Sequence, residues 1–188
     1  MKKGSVILIT VGVIIAVIIL SLIGTYNGLV TKKEKVTTQY SNLEVTLQRR
    51  ADLIPNLVNT VKGYTTHETE IIDKITEARA KLVNASSIDE KSTANNELTE
   101  SLNALMVVVE NYPDLKSSEN FRQLADELSG TENRIAVARK DYNDAVKTYN
   151  SLIKKIPNNI LAGMFGFEQA EYFTADEKSS EVPSVNFE

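Results

Sequence analysis

The sequence predicts an all-α protein, an N-terminal transmembrane helix followed by an up-and-down four-helix bundle. Three observations predict it. One uncharged aliphatic run opens the chain, apolar residues then recur at threes and fours, and helix-breaking residues are few, with 8 Gly and 4 Pro in 188 residues. Such scarcity argues against a loop-rich or β-sandwich architecture. The organisation read from this pattern is an anchor over residues 1–25, an antiparallel bundle over 26–157, and a short apolar segment with an acidic tail over 158–188.

The run from Ser5 to Ile23 carries no charged residue. At about 1.5 Å per residue it spans roughly 28 Å as a helix, close to the thickness of a bilayer's hydrocarbon core. A helix also supplies every backbone N–H with a partner inside lipid. A cleaved signal peptide is the competing reading, but the stretch exceeds a usual h-region and no small-x-small site follows it. Lys2 and Lys3 flank it in front, and Lys32, Lys33 and Lys35 lie further behind. The nearer pair tilts the charge balance towards a bundle outside the cytoplasm.

Beyond Tyr26 the pattern becomes periodic, the mark of helices with one buried stripe. Leu29, Val36, Tyr40, Leu43 and Leu47 trace the first. Asp52 and Pro55 predict a stop or turn, since proline lacks an N–H and clashes with the preceding turn. Leu57, Val61, Tyr64, Ile71, Ile75, Ala78, Leu82 and Ala85 trace the second stripe, with Gly63 a tolerated weak point within it. Ser86 with Asp89 reads as the cap of a third helix through Leu98, Leu102, Leu105, Val109 and Tyr112, which Pro113 closes. Ser117 or Ser118 caps the fourth. Its stripe runs from Phe121 through Leu128, Ile135, Tyr142 and Tyr149 to Ile156, interrupted at Thr131 and ended by Pro157. That stripe alone would suit a coiled-coil dimer, whereas apolar faces on four successive segments favour burial within one chain.

Asn158–Phe167 offers Ile160, Leu161, Met164, Phe165 and Phe167 around two glycines. In an up-and-down bundle it returns to the membrane end. There it either caps the core or forms an interfacial contact with lipid. The tail from Glu168 to Glu188 holds six acidic residues and one Lys, a composition that predicts disorder.

The composition supports no catalytic site. Net charge is −4 with no basic block, which speaks against nucleic-acid binding. There is no Cys and one His, His67. Thiolate metal sites and Cys nucleophiles are thereby excluded, and a zinc helix lacks its second His. No phosphate-binding glycine loop is present, and no cofactor is expected. Two polar clusters remain, Arg49, Arg50, Asp52 and Asn56 around the expected turn, and Asn133, Arg134, Arg139, Asp141 and Asn143 along the fourth stripe. Structurally, such groups bridge helices and fix register. Functionally, Arg49, Arg50, Asn133, Arg134, Arg139 and Asn143 form a candidate docking surface for a protein or an acidic headgroup.

These blocks carry a resemblance. The anchor, Tyr26-Asn27-Gly28-Leu29-Val30, RRADLIPNLVNTVKGY, Glu119-Asn120-Phe121, LSGTENRIAVARKDYNDAVKTYN, Ile160-Leu161-Ala162-Gly163 leading to FGF, and the acidic end with Pro183 and Val185-Asn186-Phe187 together resemble the LemA family of bacterial membrane proteins. One mild departure is Tyr40 before Ser41-Asn42, where many relatives carry Trp. The resemblance implies a single-pass protein of the bacterial cytoplasmic membrane with a four-helix bundle and no established enzymatic activity or catalytic residues. It also implies a loose association with envelope functions, a magnetosome-forming relative included. An interaction scaffold is the function it suggests, with the bilayer met through residues 5–23 and an unidentified protein as partner. A lipid- or curvature-responsive envelope protein using 158–167 is the alternative.

Overall fold

The structure, a computed structural model, describes residues 3–65 and 68–174. It is all-helical, with α1 over Lys3–Lys62, α2 over Thr69–Asn84, α3 over Ile88–Val109, α4 over Pro113–Ser117, α5 over Glu119–Lys154 and α6 over Asn158–Phe165. The chain divides into two compact units, and α1 and α5 each contribute to both. One unit comprises Ser41–Tyr142 with the chain from Tyr172; the other comprises the chain up to Tyr40 with Asn143–Glu171. The observed division therefore cuts across the anchor, bundle and tail segments read from sequence.

The Ser41–Tyr142 unit is an up-and-down four-helix bundle. Its directions follow from side chains that bridge the helices. Arg79 of α2 reaches Ala51 of α1, and Lys91, Asn95 and Thr99 of α3 meet Glu44 and Arg50 of α1 in the same order along both helices. Arg49 and Arg50 meet Glu127 and Glu132 of α5, while Leu57 and Thr60 further along α1 stand near the earlier Ala125 and Asn120, so α5 runs opposite to α1. Leu43, Leu47, Ile54, Leu57, Ile75, Leu98, Leu105, Phe121 and Ile135 fill the interior.

The expected stop near Asp52 and Pro55 does not occur: α1 runs unbroken to Lys62 with Pro55 inside it. Proline at position 55 leaves the carbonyl of Ala51 without its helical donor. Arg79 Nε donates to that oxygen at 2.8 Å and replaces the missing bond. Ala51, Ile54 and Leu57 are buried on either side, so packing holds both halves of the helix in line. The true end is Gly63, where the chain turns through Gly63 N–H bonds to the carbonyls of Asn59 and Thr60. In α2 the buried stripe passes through Ile72 rather than Ile71, and Tyr64 is exposed.

The cap of α3 falls one residue later than expected. The Ser87 hydroxyl accepts from the Glu90 N–H, and the Glu90 carboxylate accepts from the Ser87 and Ser86 N–H groups, a complete capping box. Pro113 opens the short α4 instead of closing α3. Along α5, Thr131 is fully buried despite its hydroxyl, which donates back to the Glu127 carbonyl. Ile156, assigned to the stripe by spacing, is 82% exposed.

In the other unit, Leu29 and Val36 of α1 and Val146, Tyr149 and Ile153 of α5 are buried. Every residue from Ile7 to Gly24 is exposed. The first residues of the expected disordered tail are ordered. Tyr149 Oη donates to the Glu168 carbonyl at 2.8 Å, and Asn150 exchanges two bonds with the backbone of Ala170, at 2.8 and 2.9 Å. A buried asparagine paired to one residue's N–H and C=O acts as a strand edge would. In the bundle unit Phe173 is buried, and the Ser92 hydroxyl donates to the Thr174 carbonyl. Composition misses this because the ordering comes from four bonds between side chains and backbone 19 or more residues apart, and from one phenyl ring.

Candidate functional site

Arg50 stands at the centre of the bundle. It lies on α1 within the run Leu47, Ala51 and Ile54, so helical phase points it inward, and it is 3% exposed. Its Nη1 donates to Asn95 Oδ1 at 2.8 Å and to Thr99 Oγ1 at 2.9 Å. Those two acceptors take both hydrogens of that nitrogen. Glu132 Oε2 lies 2.7 Å from the same nitrogen and pairs with it by charge, without a hydrogen of its own directed at it. Arg50 Nε has no hydrogen-bond partner among the described residues. Burial pushes the guanidinium below its ordinary value, and the charge of Glu132 pushes it back up; an arginine stays protonated under such opposing effects.

A cavity of about 320 Å³ adjoins this centre. Arg50, Glu132, Thr99 and Asn103 supply polar groups, and Leu57, Leu102, Leu105, Met106, Ala125 and Leu128 most of the remaining wall. All belong to the Ser41–Tyr142 unit.

The six residues of the candidate docking surface therefore part company. Arg50 is withdrawn from any surface by its burial. Arg49 is exposed, 3.8 Å from Glu127. Asn133 and Arg134 are exposed and Arg139 half-buried on the bundle part of α5, and Asn143 is half-buried in the other unit. His67 lies outside the described residues. Among the described residues no three His, Asp or Glu side chains gather as a metal site would require. Sequence reasoning missed Asn95, Thr99 and Glu132, the residues that hold Arg50. Arg50 lies three residues after Leu47 and four before Ile54, a spacing that says nothing of its partners on α3 and α5.

The second region lies in the other unit. Leu161 and Ala162 turn inward from α6, whereas Ile160, Met164 and Phe165 are exposed. Leu161 is thus removed from the expected interfacial set. Gly166, in the left-handed region at φ 68°, ends α6, and the Phe167 N–H bonds back to the Ala162 carbonyl at 2.9 Å. This reversal brings both phenylalanines to Tyr26. The ring of Tyr26 meets Phe165 edge-on at 4.9 Å and Phe167 at 5.8 Å, and Lys33 Nζ lies 5.7 Å over the Phe167 ring.

The model of the LemA family matches residues 39–187. The chain belongs to the LemA family. Two magnetosome proteins of Paramagnetospirillum magneticum, MamQ 1 and MamQ 2, are 32% identical to it over 89% of this chain and 71% of their own length. Protein LemA of Metamycoplasma hominis is 29% identical over 82% of this chain and 71% of its own. The matched LemA region takes in the Arg50 centre and α6 alike. None of these names is that of an enzyme.

Proposed function

We propose that this LemA-family chain is a single-pass protein of the bacterial cytoplasmic membrane. It catalyses no reaction and serves as a scaffold that holds another protein at the bilayer. The observation carrying this reading is α1 itself, exposed and uncharged from Ile7 to Ile23 and continuous into the bundle. An aliphatic surface of that length costs about 25 cal/mol for each Å² left in water, a cost that lipid removes. The exposed Asn133 and Arg134, with the half-buried Arg139, form the partner surface in this reading. Crosslinking in intact membranes is expected to yield one recurrent partner, lost in the Arg134→Glu, Arg139→Glu variant while that variant remains detergent-extractable. A chain found wholly in the aqueous fraction, or a crosslink indifferent to the charge reversal, would sink the proposal.

The Tyr26, Phe165 and Phe167 cluster favours a second reading, that α6 contacts the headgroup region and responds to lipid. Aromatic rings and a cation just past an apolar span suit that depth. The chain has no Trp, so Phe165→Trp gives one clean fluorophore. In vesicles, brominated lipids labelled near the headgroups should quench it most strongly. Emission unchanged by any brominated lipid would rule this contact out.

A further inference from the structure

The geometry points to a ligand site inside the bundle unit: the cavity beside Arg50 and Glu132 takes a small neutral molecule with an aliphatic body and one carboxamide or hydroxyl end. Three features argue for it, none depending on the membrane reading.

The first is an unmatched pair of polar groups. Arg50 is 97% removed from solvent, yet among the described residues its Nε–H has no acceptor; Glu132 Oε2 is buried and, although 2.7 Å from Arg50 Nη1, accepts no hydrogen bond from a described residue. Buried polar groups are rarely left so, and each instance calls for a partner. Here one donor and one acceptor, on residues lining the same cavity, are left over together. A carboxamide presents C=O and N–H side by side, and a hydroxyl presents both functions on one atom. Either group satisfies both leftovers at once.

The second feature is charge. Arg50 and Glu132 already neutralise each other at 2.7 Å. An added carboxylate would meet Glu132, and an added ammonium would meet the buried Arg50, around which solvent screens poorly. A neutral ligand meets neither penalty.

The third is the wall. Leu57, Leu102, Leu105 and Leu128 are buried around the cavity, which suits an aliphatic body. A single water could bridge the polar pair. Yet the cavity's volume of about 320 Å³ is roughly ten times one water's share of the liquid, and apolar surroundings hold water poorly. Asn103, Met106 and Ser129 line it too and are exposed, which gives an entrance with a flexible thioether at its edge.

The test uses the full chain in lipid nanodiscs and a photoreactive hexanamide carrying a diazirine at its aliphatic end, with adducts mapped by mass spectrometry. Adducts are expected around Met106 and Leu128, competed by hexanamide and roughly tenfold less by hexanoate or hexylammonium. Ala125→Phe fills the space from the wall without touching Arg50 and should lower the adducts by a similar factor. Arg50→Met risks the fold, so Glu132→Gln serves instead. It leaves the guanidinium uncompensated and should turn the preference towards hexanoate, a reversal that a purely structural role for the pair would not give. Adducts confined to the Ile7–Ile23 stretch, labelling indifferent to Ala125→Phe, equal competition by hexanoate in the natural chain, or a cavity that holds water only and takes no label would each overturn the site.

Discussion

Arg79 carries more than its half-buried position on α2 suggests. Its Nε bond to the Ala51 carbonyl stands in for the helical bond that Pro55 removes. The two residues are 24 positions apart in sequence and yet answer one defect, so their substitutions should not add. Arg79→Met leaves a buried carbonyl without a donor and is expected to cost about 1–3 kcal/mol. Pro55→Ala returns an N–H to position 55, and in that background Arg79→Met should cost less, with a coupling on the order of 1 kcal/mol. Denaturation midpoints of the four chains in detergent measure the cycle. Strict additivity would show that Arg79 acts through packing alone. The same pair explains why the sequence misplaces the first turn: proline's local rule is sound, but the compensating donor comes from another helix, which no window around Pro55 contains.

Among the elements, α3 has the most explicit start signal. Ser87→Ala should cost about 1 kcal/mol, read as a lowered melting temperature of the full chain. Its partner Glu90 adds a dependence on pH. The Ser86 N–H, the Ser86 hydroxyl and the Ser87 N–H all donate to the Glu90 carboxylate and hold it below the usual glutamate value. A group whose folded value is depressed stabilises fully above its unfolded value, about 4.3, and that contribution is lost as pH falls through the folded value. The melting difference between the natural chain and Glu90→Gln should therefore be present at neutral pH and vanish in acid. A difference constant across that range would refute the role of the charge. At this scale most of the fold was legible. Alternating threes and fours located α3 and α5, because one buried face per helix imposes that spacing, but ran α2 together with the end of α1, since Leu57 and Val61 keep the period up to Gly63. Ile71 against Ile72 shows its resolution: adjacent aliphatic residues satisfy the pattern equally, and only the neighbouring helices decide between them. The Arg50 centre was legible by half. The sequence set it in a polar cluster that could bridge helices, but Asn95, Thr99 and Glu132 look like ordinary polar helix residues until three helices meet.

For the whole molecule, the membrane reading proposed above turns on which side of the bilayer the bundle faces, and the continuity of α1 sharpens that question. An unbroken helix carries Lys32 about 14 Å past Ile23 at 1.5 Å per residue, and Lys33 is occupied over the Phe167 ring. Lys2 and Lys3 stand directly before the apolar run. Positive charge close to a span is retained on the cytoplasmic side, and its influence weakens with distance from the span. In the membrane reading proposed above, this balance predicts the N-terminus inside and the bundle outside. The chain contains no cysteine, so single cysteines report without interference. In intact cells a membrane-impermeant maleimide should label Lys147→Cys, on an exposed position of α5, and leave Lys3→Cys unlabelled until the cells are opened. The converse pattern would place the bundle in the cytoplasm. Adding two lysines just after Ile23 offers a check on the cause, because it should shift the population towards that converse pattern if flanking charge sets the orientation, and leave the labelling unchanged if the folded bundle does.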